Sequence, residues 1–456
     1  MQILTNFFLV VVVLCLNIVL QIPLLTGSLL FSPFIFVGFY LKKKRLCTHS
    51  ILSIYILVLY GTLFLSRYLV DSVYAADSYF GRVVISSSDL SLAARVCAVF
   101  TFSFLSGICV NHFPKGRACK WQLLGSQNTT ELLWFEHFSK YGSLLSIASF
   151  LVFIFESGNS SQLLTTLVFH EKQIQDFNTI ATLGLSIWSI TASISLTFAL
   201  HFTIETRSRR LIPHILMISL ILVFILGSRL DIFTVLGNVA ILQLMHKGKL
   251  PTGFFVTSGI LMFPVFFIIL KLRNAVNTGG KGLYDWITYP ILDASQVVLL
   301  QSRESFTHYL NIERFYQLAV GYIPRFIYPD KPSVQNLRLD TIVANSLGTS
   351  LQKGRTGWPT GAFTELFLFG GFFFTCLFAV CSGFLISAWI EKLQLSSFNS
   401  GIISLKILLL FSFVLTWFKD GDFFISIQGF VRYYIYLQVF GRVIYLIDRK
   451  KGEISE

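Results

Sequence analysis

The chain has 456 residues, of which 54% are hydrophobic and only 13% are charged, and its mean hydropathy is +0.69. Soluble domains carry roughly 25% charged residues, so this composition excludes an ordinary globular protein. Repeated apolar runs near or above about 18 residues instead predict a polytopic membrane protein. The formal net charge of +13 does not point to nucleic acid, because Lys and Arg in membrane proteins chiefly mark cytoplasmic loops.

The apolar runs predict an all-α integral membrane bundle of about 12 transmembrane helices. The predicted spans are residues 3–22, 28–42, 51–70, 90–110, 141–157, 180–203, 211–227, 231–246, 253–272, 362–390, 400–418 and 430–447. The N-terminal run has no basic segment before it, so it is interpreted as a retained first helix and not a cleaved signal.

Short basic loops fix the predicted orientation. They include LKKKRLCTHS (41–50), the arginines at 207–210, HKGKLPT (246–252) and the tail DRKKGEISE, and all fall on one side of the predicted spans. The positive-inside rule therefore places both termini in the cytoplasm. Three parts follow: residues 1–272 with nine spans, an extracytoplasmic loop at 273–361, and residues 362–456 with three spans and a short tail.

The loop 273–361 is mostly polar in an otherwise apolar chain. ILDASQVVLLQ and HYLNIERFYQLAV have helical spacing with apolar faces, which predicts short helices on the membrane surface. Several prolines between 324 and 359 then interrupt helical structure. None of the seven cysteines lies in this loop, and no Cys/His metal spacing occurs anywhere in the sequence, so we predict no metal and no cofactor.

Several arginines lie at predicted outer helix ends or in this loop. Cations so near a bilayer are costly and usually functional, unless they snorkel to the interface or pair with an acid such as Asp71, Asp231 or Glu365. The guanidinium fork matches phosphate, so converging arginines would suit a pyrophosphate-bearing lipid. The candidates are Arg67, Arg95, Arg229, Arg273, Arg325, Arg355 and Arg432.

Three phrases single out a subset of these arginines. GSRLD (227–231) places Arg229 in a tight predicted turn with Asp231 two residues on, where it can orient the guanidinium. PRFIYPDKP (324–332) holds Arg325 and Lys331 on a proline-stiffened segment, which lowers the entropy cost of binding an anion. KGRTGWPTGAFTE (353–365) places Arg355 among glycines just before a predicted span that begins with Glu365 in its first turn.

Together these phrases resemble the bacterial O-antigen polymerases, also called oligosaccharide repeat-unit polymerases. Members of that family are similar in their many spans, an outer GSR turn and a long outer loop with an R…P-x-KP phrase. They also share a G…P-x-G…E-L…F-G run, here GWPTGAFTELFLFGG (357–371). The resemblance covers about residues 225–375, and the rest of the chain matches in hydropathy alone.

The resemblance implies a metal-independent glycosyltransferase of the bacterial plasma (inner) membrane. Its substrates are undecaprenyl-diphosphate-linked oligosaccharides for O-antigen, capsule or exopolysaccharide, and its implied partners are a chain-length regulator and a flippase of the same pathway. Arg229, Arg325 and Arg355 would hold the diphosphates and stabilise the leaving group. Arg273 and Lys331 are further candidates for substrate binding. The general base is open among Glu365, Asp231, Asp330 and His308.

Two other functions compete with the polymerase. A surface-glycan ligase would share the donor but transfer finished glycan to a lipid core or a protein, and related ligases use a histidine in the outer loop, which draws attention to His308. A lipid-linked oligosaccharide flippase would suit about 12 spans, but a transporter should carry charges at the bilayer midplane. Lys406 and His201 lie nearer the predicted cytoplasmic side and are interpreted as snorkelling or packing residues.

Overall fold

The structure is a computed structural model. It describes residues 87–112, 129–156, 179–221, 229–247, 361–394, 400–421 and 423–455, together with Gly253, Tyr316, Val320, Ile323 and Tyr328. The predicted spans at 3–22, 28–42, 51–70 and, apart from Gly253, 253–272 lie outside the described residues, as does most of the loop 273–361.

The described stretches form eight α-helices and contain no strand, in agreement with the all-α class. The helices are α1 (Ser87–His112), α2 (Thr129–Glu156), α3 (Thr179–Thr206), α4 (Ile212–Ile221), α5 (Arg229–Lys247), α6 (Ala362–Gln394), α7 (Ser400–Asp420) and α8 (Phe423–Ser455). Three segments within them are long and apolar enough to cross a membrane: Leu132–Glu156, Ala362–Leu393 and Gly401–Phe418.

Two predicted boundaries are wrong. The helix predicted from 141 begins at Thr129. The predicted start was too late because Glu136 and Lys140 lower the hydropathy. These two side chains form an ion pair at 2.6 Å on one face of the helix, and Trp134 and Phe135 are buried. The helix predicted at 430–447 covers Phe423–Ser455, so the predicted outer segment KDGDFFISIQG belongs to the helices on either side of Gly421. Most of the tail DRKKGEISE continues the same helix.

Helix α7 lies at the centre of the described bundle, since 78% of its Gly401–Phe418 segment is buried. Helix α8 folds back along it: the ring of Phe413 lies 5.3 Å from that of Phe430, and Trp417 lies 5.2 Å from Phe423. The two helices are therefore antiparallel. Bulky aromatic contacts of this kind give the bundle a rigid core.

Helices α2 and α3 are also antiparallel. Phe138 packs on Phe198 with ring centroids 5.0 Å apart, and Phe153 packs beside Gly184. Helix α5 ends beside the start of α7, where His246 Nε2 lies 3.3 Å from Ser404 Oγ. Val235, near the start of α5, packs in the same apolar cluster as Phe153, at the opposite end of the bundle.

Helices α1 and α6 run parallel and in backbone contact. A Cβ added at Gly107 would collide with the carbonyl oxygen of Val380, and one added at Gly383 would collide with that of Phe104. Small residues at such positions allow helix backbones to approach closely, as is common in membranes. Near their ends, Asn111 Nδ2 donates to Ser387 Oγ and Glu391 Oε2 at 3.0 and 3.1 Å.

Helix α6 is broken at Gly370 and Gly371. Gly371 has φ 66° and ψ −156°, a conformation that is open almost only to glycine. The 23 residues that follow would span about 35 Å, enough to cross a bilayer. Phe373 in this part is 79% exposed, whereas Ala362–Leu366 before the break are fully buried, so the break turns the start of α6 into the bundle.

The contacts define two ends of the bundle. The Glu365 end contains the starts of α1, α3, α5, α6 and α8 and the ends of α2 and α7. The His246 end contains the opposite termini. This arrangement agrees with the alternating directions predicted for these spans. The exposed arginines 207, 209 and 210, in the predicted cytoplasmic link between α3 and α4, lie at the His246 end.

Candidate functional site

Glu365 joins three helices at the Glu365 end. Its side chain is fully buried in the first turn of α6. Trp417 Nε1 of α7 donates to Oε2 at 3.0 Å, and the backbone N–H of Phe423 donates to Oε1 and Oε2 at 2.8 and 2.9 Å. Since Phe423 is the first residue of α8, the carboxylate also acts as an N-terminal cap from another helix.

The tight connection between α7 and α8 presents Phe423 to this carboxylate. Gly421 has φ 69°, the left-handed conformation that commonly ends a helix, and its N–H donates to the carbonyl oxygen of Trp417 at 2.9 Å. Ser426 Oγ donates to the carbonyl oxygen of Gly421 at 3.4 Å. The connection thus reverses the chain within a few residues and directs the N–H of Phe423 at the Glu365 carboxylate of α6.

Aromatic rings surround the Glu365 carboxylate. Phe378 of α6 lies 6.2 Å from Trp417 and 5.5 Å from Phe423, measured between ring centroids. Phe413 lies 6.3 Å from Trp417 on another side. In such apolar surroundings a charge-assisted hydrogen bond contributes about 1.5–3 kcal/mol, and an unmade one is correspondingly costly.

This geometry gives Glu365 a structural role in the bundle. The side chain is fully buried and both of its oxygens accept hydrogen bonds from α7 and α8, and its candidacy as the general base stays a prediction. The carboxylate fixes where α6 starts, and therefore where the loop 273–361 rejoins the bundle.

Arg229 and Asp231 lie in the first turn of α5, so the phrase predicted as a turn passes directly into a helix. The Glu365 end contains this turn together with the start of α6. Helices α5 and α6 each contact α7, and the contact of His246 with Ser404 lies at the opposite end of α5 from Arg229.

Arg355 lies outside the described residues, but its distance from α6 is bounded. Gly361 precedes α6, and its carbonyl oxygen accepts a hydrogen bond from the N–H of Glu365 at 3.2 Å. An extended chain covers at most about 3.5 Å per residue, so six residues hold Arg355 within about 21 Å of Gly361. Arg355 is therefore a neighbour in sequence of the helix start that carries Glu365.

Four described residues lie near Arg325 in sequence: Tyr316, Val320, Ile323 and Tyr328. The hydroxyl oxygens of Tyr316 and Tyr328 lie 3.3 Å apart although 12 residues separate them in sequence. The N–H of Ile323 donates to the carbonyl oxygen of Val320 at 3.0 Å, in a turn just before Pro324. Arg325 itself, with Arg273, Lys331 and His308, lies outside the described residues.

A second polar network lies at the His246 end, and the sequence analysis did not predict it. Gln243 Nε2 donates to Glu205 Oε1 at 2.8 Å and lies 3.0 Å from His201 Nδ1, while Lys247 pairs with Glu205 at 2.8 Å. The rings of His201 and His246 are 5.0 Å apart. The sequence signal for this network is the spacing of its polar residues, which are three or four positions apart on both α3 and α5. The interpretation of His201 as a packing residue agrees with its burial.

The two ends differ in the chemistry that they offer. At the Glu365 end, one carboxylate connects α6, α7 and α8 through hydrogen bonds. The same end contains the start of α5, which includes the arginine of GSR, and the start of α6, which follows GWPTG. The described part of the chain is a helical bundle with three segments that are long and apolar enough to cross a membrane. No family model, no curated protein and no solved structure matches this chain.

Proposed function

We propose that this protein is a polymerase of lipid-linked oligosaccharide repeat units, acting at the outer face of the bacterial plasma membrane. It transfers the growing glycan from undecaprenyl diphosphate to a sugar hydroxyl of a new undecaprenyl-diphosphate-linked repeat unit. The bond between the anomeric carbon and the diphosphate oxygen breaks, and a glycosidic bond to the acceptor oxygen forms. The acceptor proton passes to a base, and undecaprenyl diphosphate departs.

The observation that carries this proposal is the common location of two phrases far apart in sequence. Arg229 opens α5, Glu365 lies in the first turn of α6, and both helix starts lie at the Glu365 end. Arg355 lies within about 21 Å of Gly361 by chain length alone. The shared location of the two helix starts supports the proposal that arginines from the α5 start and from the loop bind one lipid diphosphate.

The chemistry of the leaving group accounts for the arginines. Negative charge develops on the diphosphate as the glycosidic bond breaks, and fixed guanidinium groups stabilise that charge without reorganising. Arginine binds two phosphate oxygens at once, whereas lysine acts as a point charge. We assign this role to Arg229, Arg325 and Arg355, with Arg273 and Lys331 as further contacts to substrate.

Deletion of the gene and electrophoresis of the surface polysaccharide test the proposal. Single repeat units on the lipid acceptor are expected in the deletion strain, and the wild-type gene should restore the ladder of long chains. Free lipid-linked polymer would indicate a ligase instead, and loss of all outward lipid-linked units would indicate a flippase.

Complementation with arginine variants tests the site. Arg229→Lys, Arg325→Lys and Arg355→Lys keep the charge but lose the bidentate geometry, so each is expected to lose most chain extension. Arg210→Lys is the matched control, because Arg210 is exposed at the His246 end. Full-length ladders from Arg355→Lys at normal protein level would contradict the proposed diphosphate site.

A further inference from the structure

A groove opens between α7 and α8 towards the His246 end, far from the site proposed above. Its volume is about 240 Å³, and it is lined by Lys406, Tyr434, Ile435, Gln438, Val439 and Arg442. Ser404, which contacts His246, lies on α7 two residues before Lys406. Lys406 is six residues from the start of α7, or about 9 Å along the helix, so its long aliphatic chain can carry the ammonium group towards that end.

The groove concentrates positive charge. Lys406 is only 7% exposed, Arg442 is exposed, and their charges act on one another. No acidic side chain is among the described residues that line the groove. Two cations that share a partly buried space repel each other, so an anion bound between them would be stabilised by both.

Gln438 lines the same groove and can form hydrogen bonds to a bound anion. It is only 8% exposed, it lines the groove, and neither its Nε2 nor its Oε1 makes a hydrogen bond within the described part of the chain. A buried amide without partners is costly, because water no longer satisfies it. A phosphate oxygen is an acceptor for Nε2, and a headgroup hydroxyl is a donor for Oε1.

The wall of the groove towards the lipid is apolar. Ile435, Val439 and Val443 are 55%, 58% and 47% exposed and follow one another at four-residue spacing along α8. Residues four apart lie on one face of a helix, so these side chains form an apolar strip beside the two cations. A ligand that matches both parts has an anionic head and an acyl chain.

We propose that this groove binds the phosphate headgroup of an anionic phospholipid, with an acyl chain lying along Ile435 and Val439. Lys406 and Arg442 hold the phosphate, and Gln438 Nε2 donates a hydrogen bond to it. The site is independent of the polymerase proposal, since it lies at the opposite end of the bundle. It depends only on the protein lying in a membrane.

Native mass spectrometry of the purified full-length protein tests the site, with phosphatidylglycerol and phosphatidylcholine as probes. Phosphatidylglycerol is expected to remain bound in preference to phosphatidylcholine. Arg442→Gln and Gln438→Glu should each weaken that binding about tenfold, the change expected from losing one charge-assisted hydrogen bond. The new carboxylate of Gln438→Glu would lie beside two cations, so this variant should fold.

The matched control is Arg210→Gln, which removes an exposed cation at the same end of the bundle. It should retain phosphatidylglycerol as the wild type does. Equal binding of the two lipids by the wild type, or unchanged binding in both groove variants, would overturn the proposal. Displacement of the lipid by an equal concentration of inorganic phosphate would also overturn it, because the groove would then recognise the free anion and not the lipid.

Discussion

At the scale of single residues, the Glu365 carboxylate stabilises the junction of α6, α7 and α8. Glu365→Gln keeps the shape but removes the charge, so the Trp417 and Phe423 donors lose a charged acceptor. We expect a loss of about 1–3 kcal/mol in the free energy of unfolding. Thermal unfolding of the purified protein measures it.

Trp417→Phe is the matched control for Glu365→Gln. It removes one donor, leaves the carboxylate in place and should cause a smaller loss of stability. If Glu365 positions the loop, both variants should lose chain extension in the order of their stability. Loss of activity in Glu365→Gln with wild-type stability would instead identify Glu365 as the general base.

The sequence placed Glu365 in the first turn of a helix but did not reveal its partners. Trp417 and Phe423 lie 52 and 58 residues further along the chain, and no spacing rule connects residues on different helices. The unpaired amide of Gln438 was equally hidden, because burial depends on how α7 and α8 pack. The roles of Arg229, Arg325 and Arg355 stay predictions.

At the scale of elements, the break in α6 depends on the backbone of Gly371. A side chain at φ 66° and ψ −156° is strained by about 1–3 kcal/mol, so Gly371→Ala should lower the melting temperature and impair chain extension. Gly237→Ala in α5 is the control, since a Cβ there meets nothing within 4 Å. It should be neutral or slightly stabilising. A Gly371→Ala protein as stable as Gly237→Ala would show that α6 does not need this break.

Hydropathy predicted the existence of the described helices better than their ends. The start of α2 was missed because Glu136 and Lys140 lower the hydropathy, although Trp134, Phe135 and Glu136 itself are buried. The start of α8 was missed because KDGD reads as a loop, whereas a single reversal at Gly421 suffices. The break in α6 was not foreseen either, although the Gly-Gly pair was visible in the sequence.

At the scale of the whole molecule, the relative directions of the helices predict which positions share a side of the membrane. Glu156, at the end of α2, and Arg209, between α3 and α4, are exposed at opposite ends of the bundle. With an impermeant maleimide, Glu156→Cys should react in intact cells and Arg209→Cys only after permeabilisation, above the background of the seven native cysteines. Labelling of both variants in intact cells would contradict the proposed orientation.

The break in α6 also lets two parts of one helix meet at a single junction. Glu365, before the break, accepts hydrogen bonds from Trp417 and Phe423, and Phe378, after the break, packs its ring on the same two residues. The part after Gly371 is at the same time in backbone contact with α1 at Gly107 and Gly383. The two glycines therefore let α6 contribute a buried carboxylate and an aromatic ring to the junction with α7 and α8 while the rest of the helix lies along α1.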